Sequence, residues 1–449
     1  MPKTDDRVPR QSLKGYTVRI RNLGPLSDVE FQLGDFTIVG SRNAWGKTFL
    51  TTATSSLESL YRVVIQRVVP FYLGGAVAGA ALGEGNSRVK SLHEYVARSS
   101  SHPKIQQRLK RLLARRDVRR FVGQVGLEPF GTTSSAVVSF GQEAGRMELS
   151  EPAFGSIAVE FRQREALGQV RLSDEYIGSS ISEFAAVAGS VAFPVPKPGR
   201  RLASNARQTG GPSVESLMRF VDAIRIPQSR PVVIPAERIA LMPLFLTPAQ
   251  ALSEGNLARL FSLPLQVSAS TKPAIRQFAQ DCRDEIELLA GRKRGLSKAA
   301  VSLIGLTMTP RRGGRVEFLQ RGRLVDALLV SSSSSQLGVL CLVAESSRTD
   351  SVYVEEPEVN LHPDTTLRVA DYLWDLGKQV FLTTHSQDLI SHLAHRWREG
   401  RQDSARRSIA VFEIRGGTLV PLHIDDKGRV DELEAHAEAT DQLLREGRS

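Results

Sequence analysis

Read for its apolar and polar positions, the chain opens with two alternating runs, Tyr16–Arg21 (YTVRIR) and Asp28–Leu33 (DVEFQL), either side of a Gly-Pro turn. Period-two alternation predicts two half-buried strands in a hairpin. A short, wholly apolar run, Phe36–Val39, follows and stops at Gly40. It predicts a buried strand, then a loop, then a helix from Lys47 towards Val69. The most apolar stretch is Val68–Gly83, VVPFYLGGAVAGAALG. It is shorter than the roughly 18–20 apolar residues of a membrane span and carries a proline and several glycines, so a buried helix pair or loop is expected.

From Glu84 to Gly123 the text reads helical and increasingly basic. Lys104–Arg120 sets Ile105, Leu109, Leu112 and Leu113 on one face, with Lys104, Arg108, Lys110, Arg111, Arg115, Arg116, Arg119 and Arg120 around the others. Between Ala136 and Ser173 the runs AVVSF, RMELS, SIAVEF and QVRLS predict a small antiparallel sheet. Pro196–Pro212 (PKPGRRLASNARQTGGP) reads as a linker. Beyond it a short helix near Val214–Ile224, a strand near Val232–Ile234 and a longer helix over Lys272–Leu289 are expected. Strands near Val316–Leu319 and Leu324–Val330 precede an α/β alternation over Ser335–Ser449. Neither an internal repeat nor sustained heptads occur, which argues against a long coiled-coil arm.

Composition changes this picture in two places. Among 449 residues, 59 Lys and Arg exceed 48 Asp and Glu, a formal charge of +11. That surplus favours polyanionic partners and is silent about fold. Cys282 and Cys341 are too few for a disulfide framework or a metal cluster, and read as small buried hydrophobes in a reducing compartment. No apolar segment follows the charged opening residues, so a secretory signal is not expected and a soluble, cytoplasmic protein is.

Four segments carry chemistry. Ser41–Thr48, SRNAWGKT, lies where strand becomes helix. A phosphate loop needs inward backbone N–H groups, a Lys for the β and γ phosphates and a hydroxyl for Mg²⁺, and Gly46, Lys47 and Thr48 supply that end. Ser41 takes the position of the usual first glycine, with Gly40, one residue earlier, expected to supply the bend. In Ser351–Pro363, SVYVEEPEVNLHP, a buried strand ends in Glu355 and Glu356. Adjacent carboxylates there suit a Mg²⁺ ligand beside a base that activates water, or, more blandly, a solvated acidic strand end. Val380–Ser386, VFLTTHS, brings His385 to the tip of another buried strand, at the sheet edge where open α/β sheets bind ligands. Finally, Val330–Gln336, VSSSSSQ, precedes the apolar helix Leu337–Ala344 and fits either an anion-attracting helix start or an ordinary N-cap.

That ordered set resembles the ABC-type ATPases of the chromosome-maintenance and repair clan. These include the structural-maintenance-of-chromosomes (SMC) heads, RecF, the ATPase half of OLD-family nucleases and stand-alone relatives. SRNAWGKT looks like their Walker A loop, VYVEEPEVNLHP like Walker B with its D-loop, VFLTTHS like their switch strand, and VSSSSSQ stands in the signature position. Val233–Arg238 (VIPAER) is similar to a strand-end motif of stand-alone members. The likeness covers residues 16–70 and 228–425 and implies an α/β P-loop NTPase. It would have a mixed central sheet, an N-terminal antiparallel β subdomain, and a helical and β insertion between Walker A and signature. On that reading residues 1–83 form the N-terminal ATPase lobe, 84–227 the insertion with basic helix 104–120, and 228–449 the C-terminal lobe.

The resemblance makes Gly40, Ser41, Arg42, Asn43, Ala44, Trp45, Gly46, Lys47 and Thr48 the ATP-binding segment. It assigns Mg²⁺ to Thr48 and Glu355, the general base to Glu356 and the γ-phosphate switch to His385. Ser333, Ser334 and Gln336 would touch the nucleotide of a second chain, so ATP is expected to hold a homodimer. Three departures point towards slow hydrolysis or none: Ser41 for a loop glycine, Ser334 and Ser335 for the signature glycines, and Glu355 where transporters carry Asp. No Q-loop glutamine is placed.

Two functions are weighed. One is a DNA-linked ATPase in repair or in defence against foreign DNA, paired with an effector such as a nuclease. Its support is the basic helix, which a solvated amphipathic face explains equally. The other is a non-hydrolysing nucleotide sensor or scaffold. An ABC transporter subunit fits less well, given the Ser-rich signature and the long insertion. The residues after His385 are too few for a fused nuclease, and Asp425 and Asp426 read as a turn.

Overall fold

The computed structural model describes residues 15–41, 46–83, 102–188, 230–241, 273–292, 294–325, 329–400, 407–434 and 437–438. The predicted hairpin forms as β1 (Thr17–Leu23) and β2 (Leu26–Gln32). Val18, Ile20, Val29 and Phe31 point inward, while Arg19 and Arg21 face their opposite numbers Glu30 and Asp28 across the outer surface. The runs read as a small separate sheet become β4 (Ala144–Glu151), β5 (Gly155–Arg162) and β6 (Ala166–Leu172). They continue the hairpin through β1–β4 pairing. The antiparallel half of the molecule is thus one surface, in the order β6-β5-β4-β1-β2.

A short strand, β14 (Thr418–Pro421), joins β2 to β13 (Ile409–Arg415), and the 11-stranded sheet carries on as β13-β3-β12-β11-β7. These last five strands pair in parallel. Here β3 is Phe36–Gly40, β7 Val232–Ile234, β11 Ser351–Glu355 and β12 Gln379–Thr384. Strands β3 and β11 are buried at every position, because helices cover both faces as parallel sheets require. Val39, Tyr353 and Phe381 pack into one core with α1 (Lys47–Val63), whereas Ile38, Val354 and Leu382 pack into a second beneath α9 (Ser332–Ala344). The expected α/β architecture with a mixed sheet and an antiparallel β subdomain is present.

Four expectations need correcting. The stretch Val68–Gly83 is neither a helix pair nor a loop: α1 runs through a π turn (Val64–Val68) into α2 (Val69–Gly83). The wide turn sits beside Pro70, which has no N–H to give the ladder. Among the described residues no helix is long and apolar enough to cross a membrane. The basic stretch 104–120 is two helices, α3 (His102–Leu113) and α4 (Arg116–Leu127), with Arg115 extended between them at φ −62°, ψ 148°. Buried Ile105, Leu109 and Leu113 keep a four-residue step, and the next buried pair, Val118 and Val122, is one residue out of phase. A single helix would turn one set outward. Of the run AVVSF, Ala136 and Val137 end a helical turn, α5 (Ser134–Val137), and Val138 bridges to Leu23. The Ser134 hydroxyl donates to the carbonyls of Arg162 and Glu165 and holds that turn.

The fourth correction is a strand missed. Beside α9 a small sheet pairs β8 (Thr307–Arg311), β9 (Arg315–Gln320) and β10 (Arg323–Val325), the last shorter than the expected Leu324–Val330. TMTPR hides its strand character behind Pro310, which only an edge strand accommodates. The long helix α7 spans Pro273–Arg292, and α6 spans Asp174–Ala188. Helix α8 is Lys298–Ile304. The linker Pro196–Pro212 and the helix near Val214–Ile224 lie outside the described residues. Cys282 and Cys341 are buried, as expected.

One buried polar cluster ties α1 to β11. Glu58 of α1 has no exposed surface and accepts from Arg62 (2.6 Å), Tyr353 Oη (2.8 Å) and Ser351 Oγ of β11. Arg62 also reaches Asp350 at 3.4 Å. A buried carboxylate with all partners made is tolerable; the guanidinium left without it is not. Glu58→Ala is therefore expected to cost about 3–5 kcal/mol, read by urea denaturation. A loss under about 1 kcal/mol would mean that the cluster does not fix α1 on β11.

Candidate nucleotide site

Parallel register decides what meets at the sheet edge. Thr384 pairs with Gly40 and Glu355 with Thr383, so β3, β12 and β11 end side by side. Gly40 is the last residue of β3, and a Cβ there would meet Leu433 Cδ2 at 2.4 Å. It allows a close approach there and has no left-handed φ. Among the described residues of the loop Gly46 is left-handed, at φ +106°, where a Cβ would stand 2.8 Å from Pro25 Cγ and 2.9 Å from Leu26 Cδ2. Only glycine suits that turn, which caps α1 and starts it at Lys47. Arg42, Asn43, Ala44 and Trp45 lie outside the described residues.

Ser41 and Lys47 are buried, and Thr48, one residue into the helix, is exposed. The Lys47 ammonium donates to the Ser41 carbonyl (3.2 Å) and stands against the His385 ring, 2.6 Å from Nε2 and 3.1 Å from Nδ1. It is 3.5 Å from Glu356 Oε1, which is itself 2.9 Å from His385 Nε2. Three predicted residues from three separate segments thus share one contact. A single Nε2 cannot donate to Glu356 and accept from Lys47 at once, so the two compete for it. The His385 hydrogen bond, helped by Lys47, holds the Glu356 carboxyl below its ordinary range, against burial. Burial pulls the Lys47 ammonium down, and Glu356, Glu358 and Glu355 oppose that.

Glu355 closes β11 and is buried, whereas Glu356 is half-buried in the turn that follows, at φ +45°. Its N–H makes the last ladder bond, to Thr383 O (2.8 Å). Two residues that the sequence did not single out complete the edge. Glu358 accepts from Thr384 Oγ1 and from the His385 N–H, both at 2.7 Å, and so sets the tip that carries the histidine. Arg238, in the turn after β7, has no exposed surface and donates to the carbonyls of Glu355 (3.0 Å), Glu356 (3.2 Å) and Pro357 (3.1 Å). Burial brings its guanidinium down to about 10, still protonated at neutral pH. The signals were there: a third acid in EEPE, and a cation ending the VIPAER strand.

The serine run behaves differently. Ser331 caps α9 by accepting from the Ser334 N–H (3.1 Å), and Ser334 Oγ donates to Ile304 O (2.9 Å). Ser333 is part-exposed in the first turn. Gln336 departs from its expected place facing a second chain. It is 1% exposed and its amide donates to Val359 O (2.9 Å), bracing the loop after β11 from inside. Asp425 and Asp426 form the expected turn, Asp425 Oδ1 accepting from the N–H groups of Lys427 and Arg429.

Glu355 and Glu356 offer carboxylates beside Lys47 and the start of α1, a donor set that suits a hard cation carried on phosphates. Oxygen-only donors of this kind favour Mg²⁺ over softer metals.

No protein-family model matches the chain, and no curated protein does. Solved structures do resemble it. An SMC head bound to the C-winged helix domain of ScpA is 11% identical, over 94% of this chain and 98% of that one, with a TM-score of 0.38. The recombination mediator protein RecF of the RecFOR pathway is 11% identical over 92% and 100%, at 0.36. The SMC head domain from Thermotoga maritima is 10% identical over 91% and 98%, at 0.34. At such scores the likenesses carry no argument, and the chemistry of the site rests on its own geometry.

Proposed function

We propose that the chain binds MgATP where β3, β12 and β11 end and hydrolyses it as an ABC-type ATPase, in a head-to-tail homodimer. The observation that carries this reading is the meeting of Lys47, Glu356 and His385 within 2.6–3.5 Å, from segments far apart in sequence. On this reading the backbone from Gly40 to Gly46 and the first turn of α1 hold the phosphates, Lys47 lies against the β and γ groups, and Thr48 and Glu355 hold Mg²⁺. Bound Mg²⁺ would supply neutralisation of the charge on the phosphate oxygens. Glu356 orients water and accepts its proton, and His385 donates to a γ-phosphate oxygen.

The competition of Lys47 and Glu356 for His385 Nε2 supports these roles. With His385 and Lys47 both on it, the Glu356 carboxylate is held low and is a weak base. When either partner turns to a phosphate, the influence lowering its pKa weakens and burial raises it, towards the range a general base needs.

Each chain carries one copy of each motif, and the α9 start at Ser331–Ser334 is partly open to solvent. We assign that helix N-terminus, through Ser333 and Ser334, to the nucleotide of the second chain. The departures at Ser41, Ser334, Ser335 and Glu355 keep a second reading, a slow or non-hydrolysing nucleotide sensor. For process we favour DNA repair or defence against foreign DNA in the cytoplasm, alongside an effector protein such as a nuclease. Arg111, Arg116 and Arg120 are exposed on α3 and α4, beside Phe121 at 50% exposure, a surface suited to a phosphate backbone.

Three outcomes are expected. Wild type releases phosphate from ATP and Lys47→Ala does so at least about 10²-fold more slowly; equal rates would remove Lys47 from the site, and no release from wild type would favour the sensor. Glu356→Gln with MgATP runs as a dimer in light scattering, and a persistent monomer at saturating nucleotide counts against the shared site. Duplex DNA binding weakens steeply with salt, and replacing Arg116 and Arg120 by Ala lowers the log–log slope by about 1–2; a flat salt dependence would exclude backbone contact.

A further inference from the structure

Strand β7 ends one residue before β11 does: pairing stops at Val354–Ile234. The next carbonyls on that side, those of Glu355, Glu356 and Pro357, have no strand to accept from, and the chain is about to enter a left-handed turn. Arg238 stands in for the missing strand. Its Nη1 donates to Glu355 O (3.0 Å) and Pro235 O (3.2 Å), and its Nη2 to Glu356 O (3.2 Å) and Pro357 O (3.1 Å). All four bonds go to backbone, although the carboxylates of Glu355, Glu356 and Glu358 are near enough to favour its charge.

That choice of partners is informative. A fully buried guanidinium is costly, and one kept only for stability is best served by a carboxylate in bidentate contact. A planar fork reaching four carbonyls instead fixes backbone direction, which no flexible side chain or point charge does as well. The backbone so fixed is that of Glu356, at φ +45°, a conformation that non-glycine residues seldom hold unaided. From it the Glu356 carboxylate reaches His385 at 2.9 Å.

We propose that Arg238 is a positioning residue, which clamps the carbonyls of Glu355–Pro357 and thereby aims the Glu356 carboxylate at His385 and Lys47. Its consequence for turnover rests on the ATPase reading above; the clamp itself belongs to the folded chain and can be measured without nucleotide. Arg238 touches no reacting atom, so its loss is expected in turnover and not in nucleotide affinity.

The test compares the full chain with Arg238→Met, which keeps volume without donors, and Arg238→Lys, which keeps one charged donor. Hydrogen exchange is followed at the Glu356 and Val359 amides, which donate to Thr383 O and Glu356 O, against the amides of β12 and β5 as internal controls. Exchange in the turn is expected to rise by about tenfold or more in Arg238→Met, less in Arg238→Lys, with the controls unchanged. Fluorescent ATP is expected to bind within about threefold of wild type. Turnover is expected to fall by about 10²-fold, with partial recovery in Arg238→Lys, as for a reacting group displaced by about 1 Å. Unchanged exchange in the turn, a rise shared by the controls, or an affinity lost in step with turnover would each overturn the proposal. Failure of both variants to fold would assign Arg238 to stability alone and overturn it too. Should wild type hydrolyse no ATP, the ATPase reading fails and the exchange comparison alone decides on Arg238.

Discussion

Parallel pairing of β3, β12 and β11 is the constraint from which the rest follows. Neighbouring strands stand about 4.8 Å apart, so strands that end in step deliver their next residues into one small volume. Here the steps coincide: Gly40 lies opposite Thr384, and Thr383 opposite Glu355. A one-residue slip between neighbouring strands would turn buried side chains to the other face and separate the tips. The buried Glu58–Arg62 cluster, joining α1 to β11, guards the same alignment from the helix side.

At the edge itself, satisfaction and tension sit next to each other. Backbone groups are fully committed: Glu356 N–H to β12, its carbonyl to Arg238, the His385 N–H to Glu358. The side chains they carry are less settled, with one imidazole nitrogen contested by an ammonium and a carboxylate. A rigid frame holding competing charges suits a site that must exchange partners, because the side chains can reorder while the backbone stays in place.

Much of this was legible in the sequence, for identifiable reasons. Wholly apolar runs such as Phe36–Val39 and Val352–Val354 announce buried strands, and polar tips after them announce an edge. Gly46 and Lys47 stood out through the phosphate-loop pattern after a strand, and Glu356 and His385 because each follows an apolar run at its polar tip. Arg238 and Glu358 carried weaker signals, a cation ending VIPAER and a third acid in EEPE, and only the fold shows what they hold: carbonyls for Arg238, Thr384 Oγ1 and the His385 N–H for Glu358. The resemblance points Gln336 at a second chain, whereas packing turns its side chain inward onto Val359 O. The split of the basic stretch into α3 and α4 depended on a one-residue change of phase between Leu113 and Val118, easily lost among arginines. Pro310 masked β8 because proline argues against strands everywhere except at an edge.

The central claim is that Lys47, Glu356 and His385 surround one magnesium triphosphate. A crystal structure of Glu356→Gln grown with MgATP tests it most directly. The account predicts γ-phosphate oxygens within about 3 Å of both Lys47 Nζ and the His385 ring, with the Lys47–His385 contact opened to admit them. Nucleotide bound elsewhere on the chain, or Lys47 still seated on His385 at saturating MgATP, would contradict it.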